Sequence, residues 1–169
     1  MCALCAIWGA EVYMLEPNEK VLPNIKAIWQ ANDLKPAKVY VGFASDQTSP
    51  DGEWILTDDI EGEVINDHGF KELRDPADIP QIKINDLDVI PDIISIDVEG
   101  SEGRVLRGAE KTLREHKPII YLSLHPEFLR EQYDEWGAEL RRWIIDLGYE
   151  EELIDYPLHE VHLVYRGKK

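Results

Sequence analysis

The sequence predicts an α/β fold on an open, mostly parallel sheet whose last strand is antiparallel. Three observations carry this. Strand-like and helix-like segments alternate along the chain, the pattern of helices packed on a parallel sheet. Residues 93–98 (IISIDV) form a nearly continuous apolar run with one embedded acid, which is how a strand buried on both faces reads. Residues 149–156 and 159–165 are two strand-like runs joined by a short Pro-containing turn, which implies an antiparallel pair. The 169 residues suit one domain, read as 1–169, with a sizeable core.

The elements follow in order. Residues 3–8 are a short apolar stretch stopped by Gly9. Residues 11–15 (EVYML) read as a strand, broken at Glu16-Pro17-Asn18, with Asn18 as a helix N-cap. Val21, Leu22, Ile25, Ile28 and Trp29 recur at helical spacing. Pro23 is tolerated there because the first turn's N–H groups lack intrahelical partners. Asn32-Asp33 ends that helix. Residues 38–44 (KVYVGFA) are the next strand, ending at Ser45-Asp46. Residues 47–80, rich in Asp, Glu, Gly and Pro, read as an irregular insertion with β-like pieces at 54–56 and 63–65. Residues 81–84 make a further short strand.

After the run at 93–98, Gly100-Ser101 turns the chain into a helix with Val105, Leu106, Ala109 and Leu113 inward. Pro118 opens a second buried strand, 119–124 (IIYLSL), ended by His125-Pro126. A long helix follows, with Leu129, Tyr133, Trp136, Leu140, Trp143, Ile144 and Leu147 in one stripe and Gly148 as its cap. The chain shows no internal repeat and no low-complexity tract.

Charge narrows the function. Asp plus Glu number 34 against 18 Lys plus Arg, a net charge of −16. That argues against nucleic acid, whose binding needs a cationic face to displace counterions. It also disfavours docking on an anionic membrane. No apolar run approaches the roughly 18 residues of a transmembrane helix. Cys2 and Cys5 form a C-x-x-C, but no second pair exists to complete a zinc site, and the pair follows no strand. They read as small apolar residues on a helix face. The lack of a disulfide framework fits a cytoplasmic protein. Residues 1–10 lack the basic start of a signal peptide.

In open parallel sheets, ligands bind beyond the carboxyl ends of the strands. The residues there are Glu16, Asp46, then Asp97, Glu99 and Ser101, and finally His125. An acid between a strand and a helix can accept ribose hydroxyls, which is the position of Glu16. Asp46 is either a turn acid or an acceptor for an exocyclic amine. Asp97 lies at the end of an apolar strand, where a carboxylate needs a partner or a task. Ser101 stands where it can cap the following helix. Glu102 is explained by the helix dipole, which favours negative charge at an N-terminus. His125 can take a proton from a hydroxyl near neutral pH. Asp97, Glu99 and His125 can also meet a divalent metal, but no tight ligand motif supports one, and none is assigned. His68, His116, His159 and His162 read as surface or strand residues.

The run Asp97-Val98-Glu99-Gly100-Ser101-Glu102, followed by Val105-Leu106-Arg107-Gly108-Ala109, resembles the signature of the FkbM-type methyltransferase family. The likeness extends from Gly9 through Asn18, weakly across residues 41–46, and on through 118–126 to Gly148-Tyr149. It implies a Rossmann-like methyltransferase sheet and an S-adenosylmethionine-dependent, usually O-directed enzyme. Its acceptor would be a small-molecule or glycan hydroxyl. On that resemblance Glu16 holds the ribose of the cofactor, Asp46 lies near the adenine, and Asp97 lies near the methionine portion and the transferred methyl. Asp97, Glu99, Ser101 and His125 line the acceptor side, with Asp97 and His125 as the catalytic pair. One departure is Ser123-Leu124-His125, which offers no acid where the family often has Glu before His.

The larger departure is at the start, where no first strand or Gly-rich turn precedes Glu11. The expected sheet is therefore N-terminally truncated, with unpaired backbone groups beside the gap. Either the neighbouring strands close up, or residues 2–8 or a second copy in a homo-oligomer fill the gap, or the sequence is part of a longer product. Loss of the cofactor loop also leaves open a non-catalytic interaction or assembly module.

Overall fold

The computed structural model describes residues 2–65, 78–157 and 159–168. In chain order its elements are α1 (Cys2–Ile7), β1 (Tyr13–Glu16), α2 (Leu22–Ala31), β2 (Lys38–Val41), β3 (Phe43–Ala44), β4 (Trp54–Leu56) and β5 (Gln81–Ile82). Then come β6 (Ile93–Asp97), α3 (Glu102–Gly108), α4 (Glu110–His116), β7 (Ile119–Leu124), α5 (Pro126–Tyr133), α6 (Gly137–Asp146), β8 (Tyr149–Asp155) and β9 (Val161–Gly167). They fall into two compact units: residues up to 43 with 48–82, and residues 44–47 with 83 onward.

In the first unit β1 runs parallel to β2, from Tyr13 opposite Lys38 to Glu16 opposite Val41, and β4 adds antiparallel to β2. Asn18 does cap, accepting from the Lys20 N–H at 3.1 Å. It opens a 3-10 turn that leads into α2, with Pro23 in the first turn of the helix. The core gathers Met14, Leu22, Trp29, Ala37, Val39 and Ile60, with Cys2, Ala3 and Ala6 of α1 against it. Both cysteines are free thiols on that helix.

Two expectations fail in this unit. The strand at 38–44 is interrupted at Gly42, whose N–H donates to the Glu16 carbonyl at 3.1 Å. A Cβ at Gly42 would lie 2.5 Å from the Pro80 carbonyl oxygen, so the chain packs there only without a side chain. Residues 63–65 form no strand. The Asn24 amide takes both backbone groups of Ile65, donating to its carbonyl at 2.9 Å and accepting its N–H at 3.0 Å. A side chain thus supplies the pairing a strand would have needed. The rest of the expected insertion, residues 66–77 with His68, lies outside the described residues.

The second unit holds a four-stranded sheet in the order β6-β7-β9-β8. β6 and β7 are parallel, and β9 is antiparallel to both β7 and β8. The antiparallel final pair is as expected, but the fold is α/β with mixed sheets rather than a mostly parallel one. Its core runs from Ile94 and Ile96 through Val105, Leu106, Ala109 and Leu113 to Ile120, Leu122, Leu124, Leu129, Leu140 and Ile144.

Here too there are differences. β6 buries one face only, Ile94 and Ile96, while Ile93 is 49% exposed. Among the described residues its one strand neighbour is β7, so it is an edge strand. The helix expected after Ser101 is two, α3 and α4, meeting at Ala109. The long helix is also two. Asp134 adopts a left-handed conformation (φ 55°), ending α5 and re-aiming α6. Tyr133 and Trp136 are therefore exposed, while Leu129, Leu140, Ile144 and Leu147 stay buried. No helix among the described residues is long and apolar enough to cross a membrane.

Candidate functional site

The second unit brings one predicted acid, Asp97, to the imidazole of another predicted residue, His125. β6 and β7 are parallel neighbours with Asp97 opposite Ser123, so their carboxyl ends lie side by side. Asp97 ends β6, and His125 follows β7 directly. His125 is 5% exposed. Pro126 at the start of α5 and a stacked Phe128 ring, with centroids 6.0 Å apart, fix its surroundings.

Glu102 is the partner that sequence reasoning missed. It is fully buried in the first turn of α3. Its Oε1 lies 2.8 Å from His125 Nδ1 and accepts the Gly100 N–H at 3.1 Å and the His125 N–H at 3.3 Å. Its Oε2 is buried with no hydrogen-bond partner among the described residues. The signal was present in the sequence. Glu102 sits three, four and seven residues before Val105, Leu106 and Ala109, on the inward stripe of its own helix. A dipole role suits an exposed acid, not one on that stripe.

The other ring nitrogen faces two more carboxylates. His125 Nε2 lies 3.7 Å from Asp97 Oδ1 and 3.5 Å from Glu160 Oε1. Glu160, just before β9, is also hydrogen-bonded to His162 at 3.0 Å. The side chains of Asp97 and Glu160 are 68% and 41% exposed, so this flank of the imidazole is the wet one. Burial pulls the His125 pKa down. The hydrogen bond and charge of Glu102, with the charges of Asp97 and Glu160, outweigh it and leave His125 above its ordinary value. At that elevated pKa the ring is readily protonated, and when neutral it is a stronger base than a free imidazole.

The remaining candidates divide. Glu99 and Gly100 form the turn after β6, both at positive φ (46° and 112°). The Glu99 carbonyl accepts from Gln132 at 3.3 Å. Ser101 occupies the N-cap position but spends its hydroxyl on the Val98 carbonyl at 3.2 Å, so it makes no side-chain cap. Asp46 is in the same unit, and its Oδ1 receives Arg104 Nε at 2.9 Å and Nη2 at 2.7 Å. Burial pushes its carboxyl up, but the bond and charge of Arg104 and the Ser45 hydroxyl hold it below the usual range. Among the described residues no group of three or more His, Cys, Asp or Glu is arranged to hold a metal ion.

Glu16 belongs to the first unit, at the end of β1. Its Oε1 accepts the Asn18 N–H at 2.8 Å. Burial lifts its pKa, only partly offset by that bond. A half-buried carboxylate between a strand and a helix start suits the hydroxyls of a ribose.

Comparison with known proteins places the chain in a family. The model of the Methyltransferase FkbM domain matches residues 2–151. The chain belongs to the FkbM methyltransferase family. A crystal structure of Methyltransferase FkbM from Methylobacillus flagellatus KT is similar in fold, with a TM-score of 0.60 at 23% identity. The likeness covers 92% of this chain and 36% of that one, so the present sequence spans about a third of that protein's length. No curated protein matches the chain.

Proposed function

We propose that this chain is an S-adenosylmethionine-dependent methyltransferase acting on a hydroxyl of a small molecule or glycan. The observation that carries the reading is His125, held by buried Glu102 on one nitrogen and flanked on the other by the partly exposed carboxylates of Asp97 and Glu160.

By the resemblance, three carboxylates would meet that cofactor. Glu16 would hold the ribose through its carboxylate. Asp46, with Oδ1 already on Arg104, would offer its other oxygen to an adenine amine. Asp97, near the methionine end, is the acidic group that a sulfonium and an ammonium favour. Bound S-adenosylmethionine would supply an electrophilic methyl.

The protein's own work is then positioning and proton transfer. His125 Nε2 accepts the hydroxyl proton as the oxygen becomes a nucleophile. The imidazolium so formed lies among Glu102, Asp97 and Glu160, which stabilise its charge. Glu99 and Ser101 line the acceptor side from the turn after β6. A cytoplasmic location goes with this reading, supported by the two free thiols.

Isothermal titration with S-adenosylhomocysteine tests cofactor binding directly. Heat of binding is expected, and a folded protein giving none would sink the idea that this chain binds cofactor by itself. With a labelled donor and a panel of polyol acceptors, His125→Gln should keep binding and lose about 10²–10⁴-fold in kcat.

A second reading rests on a different observation: among the described residues β6 has β7 as its one strand neighbour. An exposed strand edge is a template for another strand. On this reading the chain is an assembly module, and a second copy pairs at that edge. Sedimentation showing a dimer without cofactor would favour it, and a monomer that binds cofactor would not.

A further inference from the structure

We propose that Glu102 is a positioning residue that fixes the tautomer of His125, with the proton on Nδ1 and the lone pair on Nε2. This rests on the reading of His125 as the base and adds the group that makes it a one-sided base. A carboxylate oxygen can only accept. Glu102 Oε1 has three N–H donors converging on it: His125 Nδ1, the Gly100 amide and the His125 amide. The two amides come from the backbone on either side of the site, so they hold the oxygen still while Nδ1 meets it. The Phe128 ring stacked on the imidazole restrains its plane. Nε2 is then the nitrogen presented to the wet flank, between Asp97 from β6 and Glu160 ahead of β9.

The arrangement carries a cost that a merely structural acid would avoid. Glu102 is fully buried, and its Oε2 has no hydrogen-bond partner among the described residues. A buried polar oxygen without a partner costs roughly 1–3 kcal/mol in general. A Leu at this position would continue the inward stripe of Val105, Leu106 and Ala109 without it. The carboxylate is retained where a hydrocarbon would pack, and the imidazole is what it serves. Second-partner control of a histidine's protonated nitrogen is a general way of setting which face acts as the base.

The test needs neither donor nor acceptor. In ¹⁵N-labelled protein, long-range ¹H–¹⁵N spectra distinguish the protonated ring nitrogen from the bare one. The neutral His125 of the wild type should show a protonated Nδ1 and a bare Nε2. Glu102→Gln keeps an acceptor oxygen for the three donors but removes the charge. It should retain the tautomer while His125 titrates at lower pH. Glu102→Leu removes the acceptor and should release the tautomer. A wild-type His125 with Nε2 protonated, or mixed between forms, overturns the proposal. So does an unchanged His125 titration in Glu102→Gln. If Glu102→Leu does not fold, the first two spectra still decide. Because these readouts use no methyl transfer, they stand even where the enzymatic reading fails. Where it holds, Glu102→Gln should also move the acid limb of the kcat profile to lower pH. Loss of activity with no movement of that limb would point to a structural role instead.

Discussion

Gly100 and Gly108 show how single positions in the signature run hold the site. Gly100 has φ 112°, and a Cβ there would lie 2.8 Å from Phe128 Cβ. Phe128 is the ring stacked on His125, so a side chain at 100 would strain the turn and push on the imidazole's support. Gly108 packs directly on the Ser45 carbonyl, within the overlap distance of any Cβ. Gly108→Ala should therefore destabilise by about 1–3 kcal/mol, the range for overpacking, read as a fall in the denaturant midpoint. An unchanged midpoint would mean that Ser45 gives way freely. Gly100→Ala should destabilise by a similar amount because its backbone conformation is also costly for an L residue. The glycines were visible in the sequence, but their reason was not, because both contacts are made by residues far along the chain. The same holds for Glu160. His125 stood out by its place after an apolar strand, whereas Glu160 is about 35 residues on and reaches the ring only through the β7–β9 pairing. Non-local strand pairing is what a periodicity argument cannot supply.

At the scale of elements, the strands were more legible than the helices. β7 fell at the expected residues, and the closing antiparallel pair was found from its short connection alone. Both helices expected in the second unit are broken, and the break in the longer one comes from backbone conformation rather than from apolar spacing. Asp134 is left-handed, which costs an L residue about 1–2 kcal/mol. A stripe count passes over such a residue, since it registers only side-chain polarity. Asp134→Gly should raise the unfolding midpoint, by an amount equivalent to about 0.5–1 kcal/mol, since glycine adopts that conformation freely. The gain is reduced if the exposed ion pair with Arg130 matters, but both partners are solvent-facing, with side chains 44% and 85% exposed. Surface pairs of this kind contribute little. A lowered midpoint in Asp134→Gly would show that the Asp side chain holds the break between α5 and α6. β6 was misread in the other direction. Its unbroken apolar run suggested burial on both faces, yet Ile93 is half exposed because β6 packs only the Ile94 and Ile96 face into the core.

At the scale of the whole molecule, charge and the site's titration act together on stability. The net charge of −16 repels itself at neutral pH, and protonating all five histidines would reduce it to −11. His125 has a raised pKa in the folded state. Its pairing with Glu102 therefore adds stability that is fully present below the unfolded histidine value of about 6.5, and is lost as pH rises through the folded value. Asp46 and Glu151 have lowered pKa values. Opposed by burial, Asp46 is held down by Arg104, and Glu151 is held down chiefly by Arg141. Their contribution is present above the unfolded carboxyl values of about 4 and is lost as pH falls through the folded ones. Asp46 and Arg104 are partly exposed, so solvent screening keeps that pair's share small. The two trends meet on the acid side of neutrality. Thermal unfolding at low ionic strength should give a maximum Tm between about pH 5 and pH 6.5. His125→Gln should flatten the decline toward pH 8. Added salt should raise Tm more at pH 8 than at pH 5.5, because screening relieves the larger net charge. A Tm that climbs steadily from pH 6 to pH 8 would contradict the buried imidazole–carboxylate pair. It would also take away the base on which the proposed chemistry depends.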